Sequence, residues 1–271
     1  MIFGLIVIVV LLALLLWGVA YIAHPAPAAT GVTMTVPPPA GVAASERLRI
    51  GSYNIHGGRD EHRHANLERV ARVVAGTDLV ALQEVHGPTH FGTPDQASRI
   101  ARAVSAGALF SPARRRWFRD YRGIALLTRL PLEYWRREPL PDVSGHSFRV
   151  LTSARIIWNG RILHVLHTHL HPRLARDEQL RIVLERFRAL SPAVLLGDLN
   201  STRDDPLIAQ LLASGAAQDA VGLALAAADP ADRIDWILTR GLRIHGGGMT
   251  EKGVSDHPYY WVEVELESQE G

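Results

Sequence analysis

The chain has 271 residues, 47% hydrophobic and 21% charged, and its 29 basic and 27 acidic side chains leave a formal net charge of +2 at pH 7. That apolar content excludes disorder for the bulk of the chain. The absence of cysteine excludes a disulfide scaffold, a Cys-ligated metal and a lipid-modified cysteine anchor.

Residues 1–23, MIFGLIVIVVLLALLLWGVAYIA, carry no charged side chain. At about 1.5 Å per residue such a helix reaches roughly 34 Å, against a hydrocarbon core of about 30 Å. One transmembrane helix, and with it a membrane-anchored, single-pass chain, is expected there. The run lacks the basic start and short apolar core of a cleaved signal peptide, although Ala26-Pro27-Ala28 offers a small-residue cleavage site. Residues 24–45, rich in Pro, Ala, Gly and Thr, read as an extended linker. An uncharged Pro-rich tether suits a domain outside the cytoplasm. Residues 46–271 are long enough for a sizeable folded domain.

Within that stretch, Leu48 to Tyr53 reads as a strand ending in a polar turn. Leu67, Val70, Ala71 and Val74 mark one face of a helix, Gly76 stops it, and Asp78 to Gln83 is a buried strand. Pro94 to Val104 reads as a helix and Gly123 to Thr128 as a strand. Phe148 to Trp158 and Arg161 to Leu170 flank Asn159-Gly160, a type I′ hairpin signal. Leu180, Val183, Leu184 and Phe187 mark a helix, and Ala193 to Leu196 a buried strand. Ile234 to Leu238 and Tyr259 to Leu266 are the last strands. Hairpins mixed with βα units predict an α/β fold with mixed sheets, or two sheets packed face to face with helices outside.

The polar residues of interest stand at strand ends, where rigid elements and polar loops build sites. Alone, Asn54 reads as a turn residue, Asp198 and Asn200 as an Asx turn, and Ser255-Asp256-His257 as a cap. Glu84 behind VALQ and Asp235 between Ile234 and Trp236 are carboxylates that need partners or a metal. Alternation puts His167, His169 and His171 on one face, which admits a zinc site. Taken together, the oxygen donors suit Mg²⁺, Mn²⁺ or Ca²⁺. A divalent cation, a carboxylate base and amide or imidazole donors are what phosphoester hydrolysis requires.

SYNIHGG, DLVALQEV, YRGIALLTRLPL, HTHL, LLGDLNSTRDDP, RIDWIL and SDHPYY, in that order, resemble the endonuclease/exonuclease/phosphatase superfamily with its deoxyribonuclease-I-like fold. The resemblance spans about Leu48 to Glu265, within a domain taken as 46–271. It implies a four-layer α/β sandwich, two mixed β-sheets face to face with helices outside, and a divalent-metal phosphoesterase. It implies Glu84 as direct Mg²⁺ ligand (Mn²⁺ in its place), with Asn54 and Asp256 on the metal side. It further implies Asp198 acting on the attacking water, Asn200 on the phosphate, His169 on the phosphate or as proton donor to the leaving oxygen, and His257 on phosphate or proton transfer, held by Asp235.

The implied partner is a phosphodiester substrate, nucleic acid ahead of phospholipid, with the membrane engaged through residues 1–23; no protein partner is inferable. Arg114-Arg115-Arg116-Trp117-Phe118-Arg119 offers phosphate contacts interleaved with aromatics, or a solvated basic strand or loop. A phospholipid or sphingomyelin-type phosphodiesterase or a phosphomonoesterase on the same site, an inactive binding module of the same fold, and the zinc hydrolase are the alternatives.

Overall fold

A computed structural model describes residues 2–40, 45–89, 92–116, 119–142, 145 and 148–267. In chain order the elements are α1 (Ile2–Tyr21), β1 (His24–Pro25), β2 (Ala29–Gly31), β3 (Arg47–Asn54), α2 (Leu67–Val74), β4 (Leu79–His86), α3 (Gln96–Val104), β5 (Gly107–Arg116), β6 (Arg119–Thr128) and β7 (Leu132–Pro139). There follow β8 (Val150–Trp158), β9 (Arg161–His169), α4 (Arg176–Arg188), β10 (Ala193–Asp198), α5 (Pro206–Ala213), β11 (Gln218–Asp219), α6 (Ala220–Leu225), β12 (Asp235–Arg240), β13 (Leu242–Thr250) and β14 (Tyr259–Leu266).

Two seven-stranded sheets result, ordered β1-β5-β6-β4-β3-β14-β13 and β11-β12-β10-β9-β8-β7-β2. Each is antiparallel except for one parallel pair, β3 with β4 and β9 with β10. Both pairs are joined by a crossover helix, α2 and α4, so the strand ends leading into the site lie side by side. Period-two alternation sorts the apolar residues. Ile50, Leu79, Ala81, Val165, Val194 and Leu196 fill the space between the sheets. Val80, Leu82 and Leu127 pack outward against Val70, Val74 and Ile100 of α2 and α3. Leu195 and Leu238 pack outward against Leu180, Val183 and Phe187 of α4 and Ile208 of α5. This is the four-layer sandwich expected. Asn159 and Gly160 both have positive φ, 50° and 75°, as a type I′ turn demands.

The N-terminal segment departs from expectation. Side chains of α1 are described over residues 4–19, a stretch of about 24 Å at 1.5 Å per residue. Among the described residues no helix is long and apolar enough to cross a membrane, so the transmembrane helix expected over residues 1–23 is not found. Residues 24–45, expected to be a spacer, are extended, but much of the segment is bound to the domain. His24 and Pro25 pair with Arg115 and Arg114 at the edge of the first sheet. Ala26 is fully buried, its N–H donating to the Ala113 carbonyl at 3.0 Å. Arg137 Nε and Nη2 both donate to the Pro27 carbonyl, at 3.1 and 2.9 Å. Ala29 to Gly31 then pair with β7 at the edge of the second sheet, and Val36 bridges back to Ala108. The segment is a strap across one edge of both sheets.

Burying a charge without a partner is costly. Ala26→Asp should therefore lower the thermal unfolding midpoint of the full chain by about 4 °C or more, whereas Thr30→Asp, at an exposed strap position, should move it by about 1–2 °C at most. Equal midpoints for both variants, measured by circular dichroism, would show that the strap is not part of the cooperative fold.

Candidate active site

The alternation that fills the inter-sheet space with apolar side chains also aims the last residues of the central strands inward. On β3, Leu48 and Ile50 face the inter-sheet core, and Asn54 lies on the same face. On β10, Val194 and Leu196 do so, then Asp198. The same face holds Gln83 of β4, His167 and His169 of β9, and Asp235 of β12. Asp198 is paired in register with His169 on one side and Asp235 on the other.

Asp198 is the hub. Its side chain is buried, Oδ2 accepting from Asn54 Nδ2 of the opposite sheet at 3.1 Å and Oδ1 from the Asn200 N–H at 3.0 Å. His169 Nε2 and His257 Nε2 stand 3.5 and 3.9 Å from Oδ2. Burial and the Asp235 carboxylate push the Asp198 carboxyl up, against the pull of His257, Asn54 and Asn200. The segment forms the Asx turn expected of it, the Asn200 N–H bond fixing Asp198 Oδ1, while Asn200 Nδ2 donates to the Leu170 carbonyl at 2.9 Å. Arg176 braces the same loop from α4, donating to the Asn200 carbonyl at 3.2 Å and pairing with Asp205 at 3.1 Å.

The two histidines differ in charge. His257 Nδ1 is 2.7 Å from Asp235 Oδ2. Burial opposes its charge, but the Asp235 hydrogen bond and the carboxylates of Asp235, Asp198 and Asp256 outweigh burial and raise it to about 9. His169 is held well below 6.5 by burial and by Arg149 and His257. One is a cation at neutral pH, the other a neutral imidazole. His167 is buried behind them, Nε2 at 2.8 Å from Gln83 Nε2 across the sheets, and burial lowers it to about 3. His171 Nδ1 accepts from the N–H groups of Arg173 and Leu174. The three alternating histidines thus serve three separate tasks, which leaves the zinc reading without a ligand set.

Glu84 reaches the site by another route. Alternation would turn it outward, but two residues of β4 oppose one of β6 between Leu82 and Val85, and Glu84 has φ +58°. The bulge re-aims its side chain, so that it lines a recess together with His169 and His171. Among the described residues Glu84 has no hydrogen-bonded or ion-paired partner, as a carboxylate kept for a cation would. Asp256 is exposed, with Oδ1 3.7 Å from His56 Nδ1, and Asn54 Oδ1 accepts from the His56 N–H at 3.1 Å. These are hard oxygen donors of the kind Mg²⁺ takes. Asp198, Asp235 and His257 also offer atoms within 4.8 Å of one another. There, however, His257 is held as a cation by the surrounding carboxylates, so both ring nitrogens carry protons and neither offers a lone pair to a metal.

Three contributors escape a reading by motif. Gln83 bridges the sheets to His167. Ser255 Oγ donates to the Asn54 carbonyl at 2.7 Å. Arg233 is buried beneath Asp235, donating to its carbonyl at 2.9 Å and to Asp219 and Asp229 at 2.6 Å each. All three carried a signal, as polar residues inside the matched stretches DLVALQEV, SDHPYY and RIDWIL. Of the basic cluster, Arg114 to Arg116 end β5 and Arg119 opens β6; Trp117 and Phe118 lie outside the described residues.

Because His257 is raised above 6.5, its pairing contributes stability that is full below about 6.5 and is lost as the pH rises through about 9. The imidazole of His257, followed by NMR, should titrate near 9 in the wild type and move toward 6.5 in Asp235→Asn. A wild-type midpoint near 6.5 would remove the charged pair.

The profile of the Endonuclease/Exonuclease/phosphatase family matches residues 51–257. No curated protein matches. Among solved structures, an endonuclease/exonuclease/phosphatase from Beutenbergia cavernae is similar at TM-score 0.65 and 23% identity, over 82% of this chain and 72% of that one. Human Nocturnin's catalytic domain with bound sulfate is similar at TM-score 0.62 and 16% identity, over 83% and 96%. D. rerio TDP2 complexed with single strand DNA product is similar at TM-score 0.60 and 19% identity, over 82% and 100%. At these identities the likeness is one of fold, and the profile match over most of the chain decides membership: this chain belongs to the endonuclease/exonuclease/phosphatase family.

Proposed function

We propose that the chain is a divalent-metal-dependent phosphodiesterase acting on nucleic acid. The observation that carries the reading is Asp198, buried, with a raised pKa, between a cationic and a neutral imidazole. Asp198 takes the proton of the attacking water; its raised pKa suits it to a base working near neutrality. The His257 cation, oriented by Asp235, holds a phosphoryl oxygen. Neutral His169 and the second N–H of the Asn200 amide donate to the same group, placing donors where charge develops. Asn54 keeps Asp198 aimed. Glu84, with Asn54 and Asp256 beside it, would hold Mg²⁺ or Mn²⁺, which when bound supplies positive charge to the phosphate and the leaving oxygen.

A second reading, a phospholipid phosphodiester as substrate, draws on α1, whose Leu5, Leu15 and Leu16 are each more than 60% exposed. Such a continuous apolar surface is suited to a lipid phase, and attachment there would bring the site to lipid.

The full chain in detergent should hydrolyse bis-p-nitrophenyl phosphate and one of plasmid DNA, RNA or phospholipid with Mg²⁺, and lose activity with EDTA. Asp198→Asn and His257→Gln should each lower kcat by about 10²–10⁴-fold. Folded wild-type protein that turns over none of these with Mg²⁺, Mn²⁺ or Zn²⁺ would instead support a binding module. Glu84→Gln should raise the Mg²⁺ concentration needed for half-maximal rate about tenfold or more; an unchanged requirement would place the ion elsewhere.

A further inference from the structure

Beside the catalytic cluster lies a recess of about 160 Å³ walled by Glu84 and His169 and by Arg114, Arg122 and Arg149. Its charge is unusual. Arg114 and Arg122 stand directly opposite each other across the β5–β6 ladder, an arrangement that repels. Arg149, just before β8, adds a third guanidinium from the other sheet. Its Nε is buried with no hydrogen-bond partner, which is costly for a charged donor. Burial first, and then Arg114 and Arg122, work against the Arg149 charge, while Glu84 and Asp198 support it. If Glu84 serves a cation, Arg149 and Arg122 are left as guanidinium groups facing the recess. Arg122 Nη2 is also 3.2 Å from His86 Nε2, and His86 lines a groove in which Arg59, Arg69, Arg72 and Arg99 outnumber Asp60 and Glu68. The positive surface therefore continues past the recess along the end of the first sheet.

We propose that this recess binds a second phosphate of the substrate strand, next to the one being hydrolysed, through Arg149 and Arg122. The inference rests on the phosphodiesterase reading and narrows it to substrates bearing at least two phosphates. Continuity of the basic surface through His86 favours a strand with regularly spaced phosphates over a single lipid headgroup. Guanidinium forks match phosphate oxygens in pairs.

The test compares TpT with 5′-phosphorylated pTpT in the full chain in detergent with Mg²⁺. The readout is the ratio of kcat/KM for pTpT over TpT. That ratio should be about ten in the wild type and fall to about one in Arg149→Gln and in Arg122→Gln, with Arg149→Lys between, and the salt dependence on longer oligonucleotides should weaken by about one phosphate contact. A purely structural role for Arg149 would lower both substrates equally and leave the ratio unchanged, which overturns the proposal. So does a wild-type ratio of one, or variants impaired only on anionic phospholipid vesicles.

Binding separates this failure from failure of the enzymatic reading. Calorimetry of both dinucleotides with the Asp198→Asn chain should show tighter binding of pTpT, lost in Asp198→Asn/Arg149→Gln. A preference in binding with no wild-type turnover keeps the subsite and discards the phosphodiesterase. Turnover without the preference does the reverse.

Discussion

The hydrogen bond from Asn54 to Asp198 joins the last inward residue of one sheet to the last inward residue of the other. It depends on two sheets meeting face to face in the correct register, the same constraint that brings the other polar strand ends of the site together. A shift of one residue in β3 or β10 would turn that side chain into the helix-covered layer. The register is held by the apolar residues that precede each polar end, Leu48 and Ile50 on one strand and Val194 and Leu196 on the other. The greasy interior is thus what aims the polar rim. Each sheet also contributes one parallel strand pair, so each brings two neighbouring strand ends to the same rim.

The electrostatics follow from how far each group sits from water and what it touches. Asp198 and Asp235 are near each other, and a buried pair of carboxylates cannot comfortably ionise together. His257 resolves this by sitting between them as a cation. His169, on the other side of Asp198, has no such pair of acids and stays neutral. Two imidazoles around one carboxylate therefore carry different protonation states without any difference in their own chemistry. Arg233, buried beneath Asp235 and satisfied by Asp219 and Asp229, keeps the strand start that carries the second acid in place.

Much of this is legible in the sequence. The apolar runs at Leu79 to Leu82 and Ala193 to Leu196, the Asn159-Gly160 turn and the polar residues after each strand have local signatures, because alternation and turn chemistry act over a few residues. Glu84 was visible as a carboxylate behind a buried run, but the bulge that turns it toward His169 belongs to pairing with β6 and leaves no mark in β4 alone. The strands β5, β7 and β13 are masked by arginines, by Pro112 and by Gly246 to Gly248. The basic run 114–119 reads equally as a loop, and its convergence with Arg149 is a contact between sheets that no local pattern encodes. The bound part of the Pro-rich segment is concealed for a similar reason. It has few large apolar residues, and its attachment is mostly through backbone groups, which sequence composition does not report.

That strap has a consequence for how the molecule meets its own copies. A sheet edge offers a row of unpaired N–H and C=O groups that a strand from another chain can complete. Here β1 and β2, two and three residues long, occupy one edge of each sheet, and Pro25 of β1 brings no amide hydrogen. The segment shields the protein from edge-to-edge association on that side. A version trimmed at the apparent domain start, Glu46, would bare β5 and β7 together and invite polymerisation through them.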